Sequence, residues 1–398
     1  MADVLTPDLC IVGAGSGGLS VAAGAVQMGA SVVLIEGHKM GGDCLNYGCV
    51  PSKALIAAGK KAHAHRHSAA FGVAEREPEV DYAAAMGHVE QVIAGIAPHD
   101  SEERFEALGC TVLRDYARFV SPNQMEAGGT SIKARRFVLA TGSSPAVPPI
   151  PGLDTVPYLT NETLWANREK PETLIVIGGG PIGLEMAQAH RRLGSQVIVL
   201  EAAKALAKDD PEIAAIALDA LRGEGIDIRE GAMAEKVEGA VGAIMVHLKG
   251  GGSVTGSHLL VATGRSPNLD KLELDKGGVE HTRGGITVDK GLRSTSNRKV
   301  YAIGDVAGGL QFTHVANYHA GLVVRNALFR MPVANQTHHI PWVTYTDPEV
   351  AHVGMTEADA TEALGKKLEI VHFKFAENDR ARADLRTEGL IKGVFCTK

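Results

Sequence analysis

The 398-residue sequence has few cysteines, no strong excess of either charge and no long apolar run. Its five cysteines are too few and too scattered for a disulfide scaffold, so a closely spaced pair is expected to be catalytic or metal-binding. Forty basic against 46 acidic residues give a net charge of −6, which offers no reason to expect nucleic acid or an anionic membrane as a partner.

Two further absences concern targeting. No stretch of the sequence approaches the ~18 consecutive apolar residues that a membrane-spanning helix needs. The first residues, MADVLTPDLCIVGAG, show no basic region followed by a cleavable apolar stretch. A cytoplasmic location, with no membrane partner, is therefore the default expectation.

Two segments of the chain share a strand–turn–helix–strand plan, and both contain the pattern G-x-G-x-x-G followed later by an acid. The glycines and acids are Gly13, Gly15, Gly18 and Glu36 in the first copy, and Gly178, Gly180, Gly183 and Glu201 in the second. In both copies the acid lies 23 residues after the first glycine (36 − 13 and 201 − 178). One such turn is a weak indication of function, but two congruent copies are a strong one.

The pattern has a chemical explanation. The first glycine permits a tight turn, the second lets the backbone approach a pyrophosphate, and the third lets helix and strand pack closely. The helix N-terminus presents partial positive charge to the phosphates, and the acid accepts hydrogen bonds from a ribose. The sequence therefore predicts one resident and one exchanging dinucleotide. Glu201 is followed by alanines and not by arginine, which favours NADH over NADPH at the second site.

A pair of cysteines, Cys44 and Cys49, lies in the run GGDCLNYGCVPSKAL shortly after the first turn. A regular helix would separate them by roughly 7.5 Å along its axis, but Asn46 and Gly48 can take turn conformations that bring the sulfurs closer. Pro51 is a suitable first residue for a following helix, so Cys49 is expected at a helix N-terminus, where the dipole favours the thiolate. A dithiol beside nucleotide sites predicts a redox relay.

Other interpretations of these residues stay open. The pair could serve only to pack the core, although packing does not require GG before it and CVPSK after it. A zinc site lacks a second Cys/His pair at ligand spacing. The histidines of the following helix are interpreted as a solvated surface, scattered around the helix: His63, His65 and His67. The remaining cysteines are interpreted as ordinary small residues: Cys10, Cys110 and Cys396.

The sequence resembles the pyridine nucleotide-disulfide oxidoreductases, the family of dihydrolipoamide dehydrogenase, glutathione reductase and mercuric reductase. The motifs that carry the resemblance follow the family's order: GAGSGG, GGDCLNYGCVPSKAL, FVLATGSSPAVPPIPG, VIGGGPIGLE, LLVATGRSPN, VYAIGDVAG and WVTYTDPEVAHVGMTE. The match covers nearly the whole chain. It implies an α/β fold with two Rossmann-like dinucleotide-binding domains and a truncated α+β dimerisation domain.

The resemblance also implies domain boundaries. FAD-binding segments are expected at 1–152 and 275–340, with an NAD-binding domain at 153–274 inserted between them and a partial interface domain at 341–398. The family continues past this point with a helical half that carries an acid–base histidine. The end at Lys398 is therefore expected to reflect a fragment or an enzyme without that base, with an exposed apolar sheet face. A homodimer is expected if the domain is complete.

Roles for individual residues follow from the resemblance. FAD is expected at the first site and NAD(H) at the second, with NADP(H) less favoured. Cys49 would lie against the flavin ring and Cys44 would exchange with the substrate disulfide. Lys53, paired with Glu185, would lie near flavin N5, and Asp305 would bind the ribityl chain. Further cofactor contacts are expected from residues in matching motifs: Gly42, Thr141, Gly142 and Gly264.

The expected activity is that of a flavoprotein oxidoreductase that acts on sulfur groups with NAD(P)H, resembling dihydrolipoamide dehydrogenase. Its acceptor is expected to be a small-molecule disulfide or dithiol, or a metal ion. Two alternatives stay open: a mercuric-reductase-like metal reductase, favoured by GGDC and FTHVANYHAGLVVRNALF, and a flavin-binding module without full turnover. Asp43 departs from the family, which usually carries Thr there, and Pro181 replaces the lid tyrosine of glutathione reductases.

Overall fold

A computed structural model describes residues 4–365 and 367–397 of the chain. The chain divides into two compact units, each assembled from three segments. Unit 1 is assigned Met1–Lys53, Gly87–Ala146 and Arg265–Gln336, and unit 2 is assigned Ala54–Met86, Val147–Gly264 and Thr337–Lys398. The finer division into FAD-binding, NAD-binding and interface segments stays a prediction.

Strands and helices alternate along most of the chain. The strands are β1 (Val4–Leu5), β2 (Leu9–Val12), β3 (Val32–Ile35), β4 (Cys110–Leu113), β5 (Arg118–Ser121), β6 (Gln124–Ala127), β7 (Thr130–Ile132), β8 (Arg136–Leu139), β9 (Ser143–Pro145), β10 (Thr173–Ile177), β11 (Gln196–Glu201), β12 (Asp227–Glu230), β13 (Ala234–Ala240), β14 (Ala243–Leu248), β15 (Ser253–Gly256), β16 (His258–Val261), β17 (Arg265–Pro267), β18 (His281–Thr282), β19 (Gly285–Ile286), β20 (Val300–Ala302), β21 (Trp342–Thr344), β22 (Val350–His352), β23 (Leu368–Lys374) and β24 (Leu390–Cys396). The α-helices are α1 (Ser16–Gln27), α2 (Gly42–Asn46), α3 (Cys49–Arg66), α4 (Tyr82–Ile96), α5 (Glu102–Ala107), α6 (Pro181–Arg192), α7 (Pro211–Gly223), α8 (Thr313–Phe329), α9 (Glu357–Leu364) and α10 (Asp379–Ala383). Single 3₁₀ turns lie at Ala69–Phe71, Ala97–Asp100, Leu153–Thr155, Leu164–Ala166, Gly304–Ala307 and Phe375–Glu377.

The central sheet of unit 1 has five parallel strands in the order β20-β8-β2-β3-β4. Every residue of β2 and β3 is buried, as expected for central strands of a parallel sheet covered on both faces. One face packs on α1 and α8. The other face packs against Phe119 and Met125 of the antiparallel part of the β1-β7-β6-β5 sheet. This layering fixes the turn between β2 and α1 at the carboxyl edge of the sheet.

Unit 2 repeats the plan on a smaller scale. Its parallel sheet has the order β12-β11-β10-β16, and α6 follows β10 as α1 follows β2. The antiparallel sheet β13-β14-β15 contributes Val237, Ile244 and Val246 to the same core. Two hairpins, β21-β22 and β23-β24, belong to the last segment of this unit. The apolar side chains of β23 and β24 that are exposed to solvent are Val371, Phe373, Ile391 and Phe395.

The predicted fold class is confirmed: the chain is α/β, and both predicted strand–turn–helix–strand copies form. One boundary differs, because α3 begins at Cys49 and not at Pro51. Proline is tolerated there because the first N–H groups of a helix have no intrahelical acceptor. The first α3 backbone bond runs from the Ser52 N–H to the Gly48 carbonyl, at 3.1 Å.

The predicted scatter of the histidines around α3 is wrong for two of them. His63 lies in the last turn of α3, and His67 directly follows the end of the helix at Arg66. Their rings are tilted against each other with centroids 4.2 Å apart, and half-buried His63 lies 3.9 Å from a Glu224 carboxylate oxygen. Among the described residues, no group of three or more His, Cys, Asp or Glu side chains is arranged to hold a metal ion. No helix in the described ranges is long and apolar enough to cross a bilayer.

Candidate active site

The glycine-rich turn of unit 1 tolerates no side chain at its first and third glycines. Gly13 has φ +103°, and a Cβ there would lie 2.3 Å from the Ala140 carbonyl oxygen. A Cβ on Gly18 would lie 1.8 Å from the Gly13 carbonyl oxygen. Gly42 also brings backbone close to this turn, since a Cβ on it would lie 2.6 Å from the Gly15 Cα. The result is a cradle of bare backbone at the N-terminus of α1.

Glu36, at the end of β3, is held by the backbone of the same turn. The Ala14 N–H donates to one carboxylate oxygen at 2.7 Å, and the His38 N–H donates to the other at 2.7 Å. Each carboxylate oxygen has two lone pairs, so one on each stays available for a ribose hydroxyl. The acid is therefore oriented by the turn beside which a nucleotide would lie.

The second glycine-rich turn, in unit 2, has the same construction. Gly178 has φ +117°, and a Cβ on it would lie 2.3 Å from the Ala262 carbonyl oxygen. A Cβ on Gly183 would lie 2.0 Å from the Gly178 carbonyl oxygen, whereas the space beside Gly180 is open. The open position is the one at which a pyrophosphate approaches the backbone in such turns.

Glu201 is anchored in the same way as its counterpart in unit 1. The Gly179 N–H donates to one oxygen at 2.8 Å, and the Ala203 N–H donates to the other at 2.8 Å. The donors are thus the second residue of the turn and the residue two positions after the acid, as for Glu36. Both turns fit a dinucleotide, with a bare backbone cradle and a fixed ribose acceptor.

Exchanging Glu201 for Arg should weaken NADH binding and shift the coenzyme preference toward NADPH. The change removes a ribose acceptor and both backbone anchors, and it adds a cation that suits a 2′-phosphate. We expect KM for NADH to rise by about 10-fold or more, the scale of losing one or two good hydrogen bonds. KM should be measured for both coenzymes, with Glu36→Gln as the control that alters the other turn. An unchanged NADH/NADPH ratio would contradict the assignment.

The two cysteines belong to unit 1 and lie on the consecutive helices α2 and α3. Cys44 is in α2, Cys49 is the first residue of α3, and both are free thiols that hydrogen-bond to each other. The Thr313 hydroxyl, at the start of α8, lies 3.4 Å from the Cys49 sulfur. The Ser16 hydroxyl, at the start of α1, hydrogen-bonds to Cys44. Two hydroxyl groups therefore flank the dithiol.

The two thiols have opposite proton affinities. The hydrogen bond from Cys44 lowers the pKa of Cys49 to about 6, assisted by Thr313 and by the charge of Lys53, while burial and Asp43 oppose the shift. The same hydrogen bond, together with burial, raises the pKa of Cys44 well above its ordinary range. Both shifts favour the thiolate at Cys49 and the protonated thiol at Cys44.

The Cys49 thiolate should titrate with a midpoint near pH 6. Its pKa in the folded protein lies below the ordinary value of 9.0, so the thiolate is the main form above pH 6 and is lost as the pH falls through that value. The rate of iodoacetamide modification at Cys49, followed by peptide mass spectrometry, measures this. Cys396, which is exposed in β24, is the internal control. A Cys49 midpoint between pH 8 and 9 would contradict the described electrostatics.

Residues 43–49, which include both cysteines, are called the dithiol loop here. Arg265, which the sequence analysis did not single out, links this loop to Asp305. Arg265, the first residue of β17, has a guanidinium nitrogen 2.9 Å from Asp43. It also donates to the Ser143 hydroxyl at 2.7 Å and to the Ser143 carbonyl at 2.7 Å. The Ser143 hydroxyl in turn donates to Asp305 at 2.5 Å. Burial raises the pKa of Asp305, with Ser143 and Arg265 opposing the shift.

The other predicted cofactor residues occupy turns and helices as follows. The Thr141 hydroxyl donates to the Asn268 carbonyl at 2.8 Å, and Gly142 and Gly264 have φ of +67° and +138°. Lys53 lies one turn after Cys49 in α3, where its charge favours the thiolate.

Glu185 belongs to the other unit and is buried in α6. It accepts a hydrogen bond from the Tyr345 N–H at 2.9 Å. Its pairing with Lys53 stays a prediction.

Sequence reasoning missed Ser16, Ser143, Arg265 and Thr313 as members of the site. Ser143 and Arg265 each directly follow a predicted glycine, in the ATGSSP and ATGRSP motifs, so the repeated motif was an available signal. Thr313 is 264 residues from Cys49 and had no such signal.

Comparisons with known proteins agree with this geometry. A family model described as pyridine nucleotide-disulphide oxidoreductase matches residues 7–320, and the model of that family's dimerisation domain matches residues 340–398. A mercuric reductase of Lysinibacillus sphaericus is 37% identical over 89% of this chain, and the chain spans 66% of that protein. A dihydrolipoyl dehydrogenase of Thermus scotoductus is 35% identical over 98% of this chain and 85% of that protein.

A solved structure leads to the same family. The HOCl-induced flavoprotein disulfide reductase RclA from Escherichia coli, solved as a Cu(II) complex, aligns with a TM-score of 0.87 at 28% identity. The alignment covers 98% of this chain and 86% of RclA. With two matched family models and these relatives, the chain belongs to the pyridine nucleotide-disulphide oxidoreductases.

Proposed function

We propose that the protein is an FAD-dependent NADH:disulfide oxidoreductase whose Cys44–Cys49 pair carries the reducing equivalents to the acceptor. The observation that carries the proposal is the asymmetric placement of the dithiol. Cys44 lies within α2, whereas Cys49 begins α3 and its sulfur lies 3.4 Å from the Thr313 hydroxyl. These surroundings favour the thiolate at Cys49 and the thiol at Cys44. A pair used only for packing has no need of this asymmetry. A pair that exchanges with a disulfide needs one sulfur held as a thiolate and the other free to attack.

The cradles support the two cofactors that the family uses. In unit 1, FAD would be held by the glycine turn, Glu36 and Asp305, and in unit 2, NADH would be held by the second turn and Glu201. When bound, these cofactors supply the two-electron path from a nicotinamide to a disulfide. The remaining chemistry falls to the side chains of the chain itself.

The residues around the dithiol divide the exchange between them. Cys44, half-buried in α2, attacks the acceptor disulfide, and its proton can pass along its hydrogen bond to Cys49. This forms a Cys44–acceptor mixed disulfide and breaks the acceptor S–S bond, and the first acceptor sulfur leaves as a thiolate that takes the proton from Cys49. The Cys49 thiolate then attacks the Cys44 sulfur, which closes the Cys44–Cys49 disulfide and releases the second acceptor sulfur as a thiolate that takes a proton from solvent. Over the cycle the dithiol is oxidised by two electrons and the acceptor disulfide is reduced by two electrons. Thr313 and Lys53 stabilise the Cys49 thiolate before the first attack and again before the disulfide closes.

A metal ion is a second candidate acceptor, and one observation favours it. Asp43 immediately precedes Cys44 and lies against the turn between the two cysteines, since a Cβ on Gly48 would meet its carboxylate oxygen at 2.8 Å. The two sulfurs suit a thiophilic cation, and the negative charge of the carboxylate beside them attracts a cation and repels an anionic disulfide such as glutathione disulfide. The relatives named mercuric reductase support the same candidate.

A homodimer is also part of the proposal. The match to the family's dimerisation domain spans residues 340–398. The exposed apolar side chains of β23 and β24 lie within that range, and an exposed apolar patch of this kind is typical of an association surface.

Steady-state oxidation of NADH by the FAD-loaded protein tests the function and separates the candidates. Lipoamide, glutathione disulfide, mercuric ion and a redox dye are each supplied as acceptor. Turnover with a disulfide supports the first candidate, and turnover with mercuric ion alone supports the second. Reduction of the dye without turnover of the other acceptors would contradict both and would leave a flavin-binding module.

A further inference from the structure

The dithiol loop contains the Asp43 carboxylate, a negative charge that has no role in the exchange between the two sulfurs and the acceptor. Asp43 lies in α2, one residue before Cys44. A carboxylate here acts against the Cys49 thiolate, because two like charges close together disfavour each other. The carboxylate also lies beside Gly48, directly before α3, and so competes with the thiolate for the partial positive charge of that helix N-terminus.

Arg265, from a different segment of unit 1, forms an ion pair with the Asp43 carboxylate. Its guanidinium is only 11% exposed and makes four contacts: Asp43 at 2.9 Å, the Ser143 hydroxyl at 2.7 Å, the Ser143 carbonyl at 2.7 Å and Asp305 at 3.8 Å. The two bonds to Ser143 fix the plane of the guanidinium. A planar donor group held in this way can fix a carboxylate in place, which a freely rotating lysine does not do.

The position of Arg265 is set by the pairing of strand β17 with β9 and not by the dithiol loop. β17 pairs antiparallel with β9, with Arg265 opposite Pro145 and Pro267 opposite Ser143. The arginine therefore rests on a sheet ladder, whereas Asp43 is in the short helix α2. The guanidinium is thus placed by strand pairing and by its bonds to Ser143, and neither contact involves Asp43.

We propose that Arg265 is a positioning residue for the dithiol: it fixes and neutralises the Asp43 carboxylate, and in this way keeps Cys49 in the thiolate form. The inference rests on the proposed function of the dithiol and adds a residue to it. The groups that face Cys49 are Cys44 and Asp43 from α2, Lys53 from α3 and the neutral Thr313 hydroxyl from α8. Lys53 attracts the thiolate directly, and Arg265 acts through Asp43.

The test compares the pH midpoint of Cys49 modification in four FAD-loaded proteins: wild type, Arg265→Gln, Asp43→Asn and the double variant. Iodoacetamide labelling at each pH is read at the Cys49 peptide by mass spectrometry. In Arg265→Gln the carboxylate is left unpaired, and the midpoint should rise by about one unit, the low end of the effect of a nearby charge. In Asp43→Asn the Arg265 charge is left uncompensated, so the midpoint should fall, and in the double variant it should return to within a few tenths of wild type.

The reversal in the double variant separates this role from a merely structural one. If Arg265 only stabilised the loop, both single changes would move the midpoint in the same direction and the double variant would be no better than Arg265→Gln. An unchanged midpoint in Arg265→Gln, or no recovery in the double variant, would overturn the proposal. Should Arg265→Gln fail to fold, Asp43→Asn still decides, because a rise of its midpoint would contradict the proposal and a fall would support it.

This labelling is independent of turnover. A protein that shows the reversal but reduces no acceptor would contradict the proposed function and leave the role of Arg265 intact. If the protein reduces disulfides but the Cys49 midpoint does not shift in Arg265→Gln, the proposed function is supported and the role of Arg265 is contradicted. Arg265→Lys, which keeps the charge without the fork, should give a midpoint between those of wild type and Arg265→Gln.

Discussion

Replacing Cys44 with Ser should reduce disulfide turnover by on the order of 10³-fold or more, because the variant loses the attacking nucleophile of the reaction. A serine hydroxyl is close in size to the thiol and can keep the hydrogen bonds to Cys49 and Ser16, so the loop should keep its shape. It cannot form a mixed disulfide with the acceptor. NADH oxidation with a disulfide acceptor measures the loss, and the FAD content and the KM for NADH should stay at their wild-type values.

Cys396→Ser is the matched control for this change. Cys396 is an exposed free thiol at the end of β24, the strand that pairs with β23 in unit 2. Its replacement should leave turnover within about two-fold of wild type, as for a surface substitution away from special features. Turnover that survives in Cys44→Ser, or that disappears in Cys396→Ser, would mean that another thiol performs the exchange.

Gly18→Ala should prevent FAD binding and lower the free energy of unfolding. The added methyl would lie 1.8 Å from the Gly13 carbonyl oxygen, inside the turn that joins β2 to α1. That carbonyl belongs to rigid backbone, so the turn itself has to move, and overpacking of this kind costs about 1–3 kcal/mol. Urea unfolding and the ratio of bound FAD to protein measure the two effects.

The same helix offers the control. Gly24 also lies in α1, but a Cβ there would have Val324 as its nearest neighbour, at an ordinary contact distance of 3.6 Å. Gly24→Ala should keep full FAD content and gain up to about 1 kcal/mol, because alanine loses less entropy in a helix than glycine does. Normal FAD content and stability in Gly18→Ala would show that the turn is not the tight cradle described.

Local pattern was enough to predict the two nucleotide turns. The partners of Gly18 and Glu36 lie within about 25 residues of chain, and the second copy repeats both at the same spacing. Gly13 is set locally by its φ of +103°, although the closest neighbour of a Cβ there is Ala140. The fold class followed, because apolar strands that alternate with helices predict a parallel sheet. The helix start at Cys49 was placed two residues late, because the notable proline at position 51 occupies the third position of α3.

The members of the site that come from distant segments were not predictable in the same way. Arg265 reaches Ser143 because β9 and β17 pair across 122 residues of sequence, and Thr313 reaches Cys49 across 264 residues. No spacing rule connects such positions, since the sheet and helix packing bring them together. The contact of His63 with His67, in contrast, is local, because His63 lies in the last turn of α3 and His67 directly follows the end of the helix.

The sequence shows the position of Asp43 but does not identify its partner. A carboxylate beside a reactive thiol required a compensating group, and the charge pattern gave no indication of which of the chain's 40 basic residues supplied it. The pairing with Arg265 became visible only when β17 was placed beside the loop. The same limitation applies to any site whose electrostatics depend on tertiary structure.

The central claim is that reducing equivalents from NADH arrive at Cys44 and Cys49. The direct measurement starts from air-oxidised, FAD-loaded protein, adds one equivalent of NADH without oxygen, and quantifies alkylated cysteines by peptide mass spectrometry. We expect the peptides that contain Cys44 and Cys49 to change from disulfide-linked to doubly alkylated. Consumption of NADH with the Cys44–Cys49 disulfide still intact would contradict the account.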